Sequence, residues 1–372
     1  MSDLTFSKES LGHALITGGC GFLGHHIVNL LLERHPSTRI TVLDLRTNLN
    51  RNPSPQVTYY DGDITDAEFI NELLERLRPD VVIHTASPHA FAAKEVLWKV
   101  NVEGTKVLLE AAQKSGVKAF VHTSSASLIM DRSMTIINAD ERWPVVMGKE
   151  QPEYYTTTKA HAELTVLSAN RTPPTFLTTA LRPAGIFGEG DGQTLPGMLN
   201  VLAQGKHTFQ IGDNDNLFEF TYVRNVAHAH ILAANALLAT ASMAPTAPLD
   251  NERVDGEAFF ITNDAPIYFW DFARMVWFYA GDRTPLSKVW VLPEGVMTTL
   301  GGVMEWVYGV MGKKPAMTRA QARYACMTRY FDISKAKTRL GYRPIVGLEE
   351  GIKKGVAAAM EEKRKEEEKK GQ

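Results

Sequence analysis

The sequence predicts an α/β protein: a doubly wound parallel sheet carrying a smaller, mostly helical lobe. Three observations predict it. Short β-rich runs alternate with helical patterns between His13 and Pro183, a glycine-spaced turn follows the first of those runs, and the alternation fails beyond Pro183. Parallel strands need crossover connections, and crossovers built from helices cover both faces of the sheet. A (β/α) barrel alternates in the same way, but a glycine turn directly after the first strand favours the open sheet.

Taken in order, ALIT predicts the first strand and 22–35 its helix. ITVLDL predicts the second strand, VTYYDGD the third with a helix over 66–78, and DVVIHTA the fourth with a helix over 101–115. KAFVHTSSA predicts the fifth strand with a helix over 154–169, and FLTTALRP the sixth. These runs are short, apolar and rich in β-branched residues, as strands buried on both faces require. Further on, helices are expected near 194–205, 225–239, 268–280 and 294–311, with one strand, EAFFITN. The polar GDNDN run and the Pro/Ala-rich stretch 241–256 read as loops. The resulting division is a nucleotide-binding domain over 11–185, a substrate lobe over 186–345 with segments returning to the core, and a charged helix or tail over 346–372. Within the last, EEKRKEEEKK (361–370) is charged all round and reads as a solvated helix end.

The chain has 372 residues, 44% hydrophobic and 22% charged, enough to bury a large core. A formal net charge of −2 provides no field to gather nucleic acid. Cys20 and Cys326 are too isolated to suggest a disulfide framework or a zinc site. The pairs His25/His26 and His228/His230 do not converge on one ion from adjacent or i, i+2 positions, so no metal is expected. The start MSDLTFSKES lacks a secretory pattern, and no stretch reaches the ~20 apolar residues of a spanning helix. A reducing, cytosol-facing location is expected.

The turn after the first strand reads Thr17-Gly18-Gly19-Cys20-Gly21-Phe22-Leu23-Gly24. Gly18 allows a tight turn, Gly21 lets backbone approach a pyrophosphate, and Gly24 lets helix pack on strand. The helix opening at Phe22 and Leu23 then offers free N–H groups to phosphates, the arrangement of a Rossmann-type dinucleotide site. Asp44 ends the second strand, where a carboxylate accepts both ribose hydroxyls and repels a 2′-phosphate, so NAD is the expected cofactor. Arg46, two residues on, could cradle that phosphate and leaves NADP open. Asp63, followed by Ile64 at the end of the third strand, is placed to accept from an adenine amino group.

Tyr155 and Lys159 lie four residues apart on one helix face. A phenol working as acid/base near neutrality needs its pKa brought down from ~10, about 4 kcal/mol of differential stabilisation, which an adjacent ammonium and a cationic nicotinamide could supply. After the fifth strand come Ser124 and Ser125, at the carboxyl edge where ligands bind in such sheets. Ser125 is the expected hydroxyl for the substrate oxygen and Ser124 the alternative, because strand neighbours face opposite ways.

The runs TGGCGFLG, LDLR, GDITD, HTASP, VNVEGT, HTSSA, YYTTTK and LRPAGIFG, continued by FQIGDNDNLFEFTYVRNVAHAH, EAFFITNDAPIYFWDFAR and DISKAKTRLGYRP, span nearly the whole chain. In this order they resemble the 3β-hydroxysteroid dehydrogenase family of extended short-chain dehydrogenases, and most of all its fungal decarboxylating branch. The resemblance implies a Ser125/Tyr155/Lys159 catalytic set, Pro183 to Ile186 beside the nicotinamide, and an NAD(P)-dependent oxidation of the 3β-hydroxyl of a 4α-carboxysterol with loss of CO₂. Rival expectations are a 3β-hydroxysteroid dehydrogenase/isomerase or triterpenoid-pathway relative without decarboxylation, a nucleotide-sugar epimerase, and a non-catalytic scaffold.

Residues 289–312, VWVLPEGVMTTLGGVMEWVYGVMG, are rich in Met, Val and Trp but interrupted by Pro293, Glu294 and Glu305. They fit either a core or pocket-capping helix or one lying in a membrane interface, and only poorly a true span. The terminal Lys369-Lys370-Gly371-Gln372 has the dilysine spacing of endoplasmic-reticulum retrieval. Candidate associations are therefore a sterol substrate, other enzymes of sterol C4 demethylation, a homodimer, and peripheral contact with the cytosolic face of the endoplasmic-reticulum membrane.

Overall fold

The structure, a computed structural model, describes residues 10–243, 246–311 and 318–370. The first half runs β1 (His13–Thr17), α1 (Phe22–Arg34), β2 (Arg39–Asp44), β3 (Val57–Asp61), α2 (Ala67–Leu77), β4 (Val81–His84), α3 (Lys94–Trp98), α4 (Thr105–Lys114), β5 (Ala119–Thr123), β6 (Ile136–Ala139), α5 (Tyr154–Ser168) and β7 (Leu177–Pro183). The second half runs β8 (Gly185–Phe187), α6 (Thr194–Ala203), β9 (Phe209–Ile211), β10 (Leu217–Phe218), β11 (Phe220–Tyr222), α7 (Val223–Ser242), β12 (Ala258–Ile261), β13 (Ile267–Tyr268) and α8 (Phe269–Tyr279). It closes with β14 (Trp290–Leu292), α9 (Glu294–Val310), α10 (Arg319–Cys326), β15 (Arg329–Phe331), α11 (Ser334–Arg339) and α12 (Leu348–Lys370).

Seven parallel strands form the central sheet in the order β3-β2-β1-β4-β5-β7-β12. Successive residues on each strand face opposite sides. Leu15, Val82 and Phe120 therefore pack under α2, α4 and α5, while Ile16, Ile83 and Val121 pack against α1 and α7. The chain turns from building outward through β2 and β3 to building the other way from β4. The carboxyl ends of β1 and β4 flank that switch, where such sheets open a ligand crevice.

One helix boundary differs from the sequence expectation. The helix expected over 101–115 starts at Lys94 and passes through one π-helical turn, Lys99–Gly104, before α4. Ala93 offers no side-chain cap, so no start signal marks the earlier turn. Segments beyond Pro183 return to the central sheet, where α7 packs on it and β12 extends it, and β6 from the first half joins the four-stranded sheet β13-β10-β15-β6. Within 346–372, Ile352 and Val356 are fully buried. There Gly351 meets the Tyr222 ring and Gly355 meets Leu195 and Gly188, so this half of α12 is lobe core. The charged end carries i, i+4 pairs such as Glu361–Lys365 at 2.7 Å, exposed contacts worth little in stability.

One buried ion pair ties α5 to the sheet. Arg182 on β7 donates from Nε to Glu163 of α5 at 2.9 Å, and both side chains are almost wholly buried.

Candidate active site

A cleft of about 810 Å³ runs along the carboxyl edge of the sheet, from the turn after β1 to the start of α5. At one end, Gly18 has φ +71°, and a Cβ there would lie 2.8 Å from the Ala86 backbone. A Cβ on Gly24 would lie 2.2 Å from the Gly18 carbonyl oxygen, so only glycine lets α1 sit this close to its strand. Gly21 starts α1 with no side-chain cap, and the first turn carries no acidic residue, leaving the N–H groups at Phe22 and Leu23 aimed at the cleft without a competing carboxylate. Asp44 is held toward this turn by the Cys20 N–H, which donates to its Oδ2 at 3.0 Å. Asp63 accepts from the Thr65 N–H at 2.9 Å, and Ile64 beside it is buried; Asp44, Asp63 and Ile64 line the cleft together with Gly18, Gly21 and Gly24.

At the other end, Tyr155 stands in the first turn of α5, with Lys159 one turn on. Lys159 donates from Nζ to the Thr123 carbonyl at 2.6 Å, where β5 ends. Burial pushes the Tyr155 phenol up to about 12, with the Ser87 hydroxyl working against it through a hydrogen bond, and pushes the Lys159 ammonium down to about 8. Within the protein's own groups the ammonium is engaged by a carbonyl and desolvation of both side chains prevails, so the depression expected of the phenol falls to the ammonium acting together with a bound cationic nicotinamide.

β5 ends at Thr123, the Ser124 N–H continues its pairing by donating to the Leu181 carbonyl at 2.7 Å, and both Ser124 and Ser125 line the cleft. Ser125 is half-buried and shares a hydrogen bond with the Ser127 hydroxyl at 2.7 Å. The Ser124 hydroxyl is buried with no partner among the described residues. Pro183, at the end of β7, and Ile186, on β8, face the same space.

Two polar chains escaped the sequence reading. From Tyr155, contacts pass to Ser87, which donates to Asn101 at 2.9 Å, and on to Thr158, to which Asn101 donates at 2.9 Å. From Ser127, a 2.9 Å contact leads to Thr156, which donates to Glu153 at 3.1 Å. Ser87 and Asn101 lie within HTASP and VNVEGT, but nothing local assigns them a partner on α5. The histidines serve local bonds: His25 meets the Asn50 carbonyl, His26 that of Glu189, and His230 the Thr123 hydroxyl.

Residues 15–294 match the 3-beta hydroxysteroid dehydrogenase/isomerase family. The chain belongs to this family. Sterol-4-alpha-carboxylate 3-dehydrogenase, decarboxylating, of Schizosaccharomyces pombe is 43% identical over 347 residues, covering 93% of this chain and 97% of the relative. Its namesake from Saccharomyces cerevisiae is 42% identical over 357 residues, covering 94% and 98%. The crystal structure of Bordetella bronchiseptica WbmH in complex with NAD+ matches with a TM-score of 0.69 at 19% identity, covering 94% of this chain and 99% of that one, a likeness of fold. In this member of the 3-beta hydroxysteroid dehydrogenase/isomerase family, the glycine turn, Asp44, the two serines and the Tyr155–Lys159 turn share one cleft.

Proposed function

We propose that the protein oxidises the 3β-hydroxyl of a 4α-carboxysterol to a 3-ketone with loss of CO₂, a step of ergosterol-type sterol biosynthesis, with NAD as cofactor. The observation that carries this reading is the single cleft joining an uncapped, glycine-lined helix N-terminus to a phenol, an ammonium and paired serine hydroxyls. The decarboxylating fungal relatives support the substrate. The residues fit a dinucleotide: Gly18, Gly21, Phe22, Leu23 and Gly24 would hold the pyrophosphate, Asp44 the adenosine ribose, Asp63 and Ile64 the adenine, and Pro183 and Ile186 the nicotinamide.

When bound, the oxidised nicotinamide supplies a hydride acceptor and a positive charge beside the phenol. Tyr155 takes the proton of the 3-hydroxyl, Ser125 holds the oxygen by a hydrogen bond, and Lys159 holds the ribose and keeps a second cation near the phenolate. Once C3 is a ketone, the 4-carboxylate is a β-keto acid. The C4–CO₂ bond breaks, its electron pair enters the C3 carbonyl as an enolate, and C4 is then protonated. The Tyr155 and Ser125 hydroxyls steady that enolate oxygen, so one site serves both steps.

Incubation with NAD⁺ and a 4α-carboxysterol is expected to release CO₂ in equal amount to NADH and to continue in the presence of a metal chelator. A ketone product that retains its carboxylate would leave a plain 3β-hydroxysteroid dehydrogenase. For the cofactor, Asp44→Ala is expected to bring kcat/KM for NAD⁺ and NADP⁺ together, since it removes the charge that repels a 2′-phosphate. A wild-type preference for NADP⁺ would give the choice to Arg46.

The same reading puts the protein at the cytosolic face of the endoplasmic-reticulum membrane, among the enzymes of sterol C4 demethylation. Val296, Leu300, Val303 and Val307 form one exposed stripe on α9, with Trp290 and Leu286 exposed nearby in sequence. The other side of α9 approaches Arg319 of α10 through Gly301 and Gly302. No described residue of 289–312 lines the cleft, which speaks against the pocket-capping alternative, and residue 312 lies outside the described residues. None of the described helices is long and apolar enough to cross a membrane. Of the terminal dilysine run, residues 371–372 lie outside the described residues. Vesicles of phosphatidylcholine and phosphatidylserine are expected to carry the protein upward in a flotation gradient, and a Leu300→Glu/Val303→Glu variant to stay behind. Equal flotation of both would remove α9 from that role.

A further inference from the structure

The proposed reaction places a carboxylate on the carbon next to the one that is oxidised, so its binding group must line the cleft that holds Tyr155. Among the described residues that do, Lys159 and Arg329 are the only lysine or arginine side chains. Lys159 is engaged by the Thr123 carbonyl within the reacting centre. Arg329 lies on β15, between β10 and β6, where strand pairing fixes its backbone. Its side chain is 8% exposed, and its Nε is buried without a hydrogen-bond partner among the described residues.

No carboxylate among the described residues lies within ion-pairing distance of Arg329, in contrast to Arg182 with Glu163 and Arg171 with Asp255. Glu219 accepts from the Phe331 N–H at 2.8 Å through Oε2 while its buried Oε1 has no partner among the described residues, Glu153 accepts from the Thr156 hydroxyl, and neither carboxylate forms an ion pair with Arg329. What surrounds the guanidinium is aromatic, with the Phe218 and Phe331 rings each centred 5.9 Å away. A buried guanidinium is costly unless an anion meets it, and its planar fork is matched to a carboxylate.

Resting on the functional reading above, we propose that Arg329 is the specificity residue that binds the 4α-carboxylate of the sterol. A contact to the anion before reaction stabilises the bound substrate. It does not favour decarboxylation, which moves charge off the carboxylate toward the enolate oxygen. The effect therefore falls on KM more than on kcat.

The test compares a 4α-carboxysterol with the same 3β-hydroxysterol lacking the carboxylate, using wild type, Arg329→Met and Arg329→Lys. The loss of kcat/KM in Arg329→Met is expected to be about 100-fold greater on the carboxylated sterol than on the carboxylate-free one, mainly through KM, with Arg329→Lys recovering part of it. Equal losses on the two sterols would mean that Arg329 only supports the fold and would overturn the proposal, as would no loss on the carboxylated one. A wild type that oxidises the carboxylate-free sterol but not the carboxylated one would instead defeat the functional reading itself, and the proposal with it.

Discussion

Replacing Tyr155 by Phe is expected to lower kcat by about 10³-fold while leaving the dissociation constant for NAD⁺ within a few-fold of wild type. The substitution removes one ionisable oxygen and nothing else. The glycine turn, Asp44 and Asp63 lie at the far end of the cleft from the change. The hydrogen bond from Asn101 to Thr158 also survives, because it does not use the phenol. Burial holds the phenol at about 12, so in the protein alone it is protonated across the physiological range. Turnover in the oxidising direction should then rise with pH until the phenol, with cationic cofactor bound beside it, has lost its proton. Kinetics over a range of pH together with fluorescence titration of the cofactor check both parts. Residual turnover near that of the wild type would take the base role from Tyr155.

Replacing Arg182 by Met is expected to cost about 3–5 kcal/mol of stability, because it leaves the Glu163 carboxylate buried without its counter-charge. At the usual sensitivity of a large domain this is a fall in Tm of at least about 6 °C. Glu163 is fully buried, and the Arg182 guanidinium packs 5.4 Å from the centre of the Phe260 ring, so water cannot readily replace the lost partner. The pair joins α5, which presents Tyr155 and Lys159, to β7, whose last residue Pro183 lines the cleft. Activity should therefore fall along with stability. Changing both partners, as Arg182→Met/Glu163→Leu, is expected to recover much of the loss, since no charge is then left buried. Chemical denaturation of wild type and the two variants measures this, and an Arg182→Met variant as stable as wild type would show that the pair is not the tie described.

The sequence by itself determined the parts of this protein that local backbone geometry dictates. The turn from Gly18 to Gly24 is legible because a Cβ at Gly18 or Gly24 would strike backbone, and no other residue type relieves that. Asp44 and Asp63 are legible because strand ends in a parallel sheet share one edge, and Tyr155 with Lys159 because four residues make one helical turn. The apolar character of 289–312 is likewise visible in composition, although not which side of α9 stays uncovered.

Tertiary structure alone decided how those parts meet. Both serines after β5 line the cleft, the Ser124 hydroxyl buried without a partner among the described residues and the Ser125 hydroxyl bonded to that of Ser127, contacts that no local pattern shows. Lys159 donates to the Thr123 carbonyl where β5 ends, and burial of the phenol raises its pKa, neither of which a local pattern shows. Asn101 reaches Thr158 through a π-helical turn that has no sequence signal of its own. Arg329 joins the cleft only because β15 pairs with β10 and β6. Register between strands far apart in the chain is set by the packing of whole faces, which one segment of sequence cannot specify.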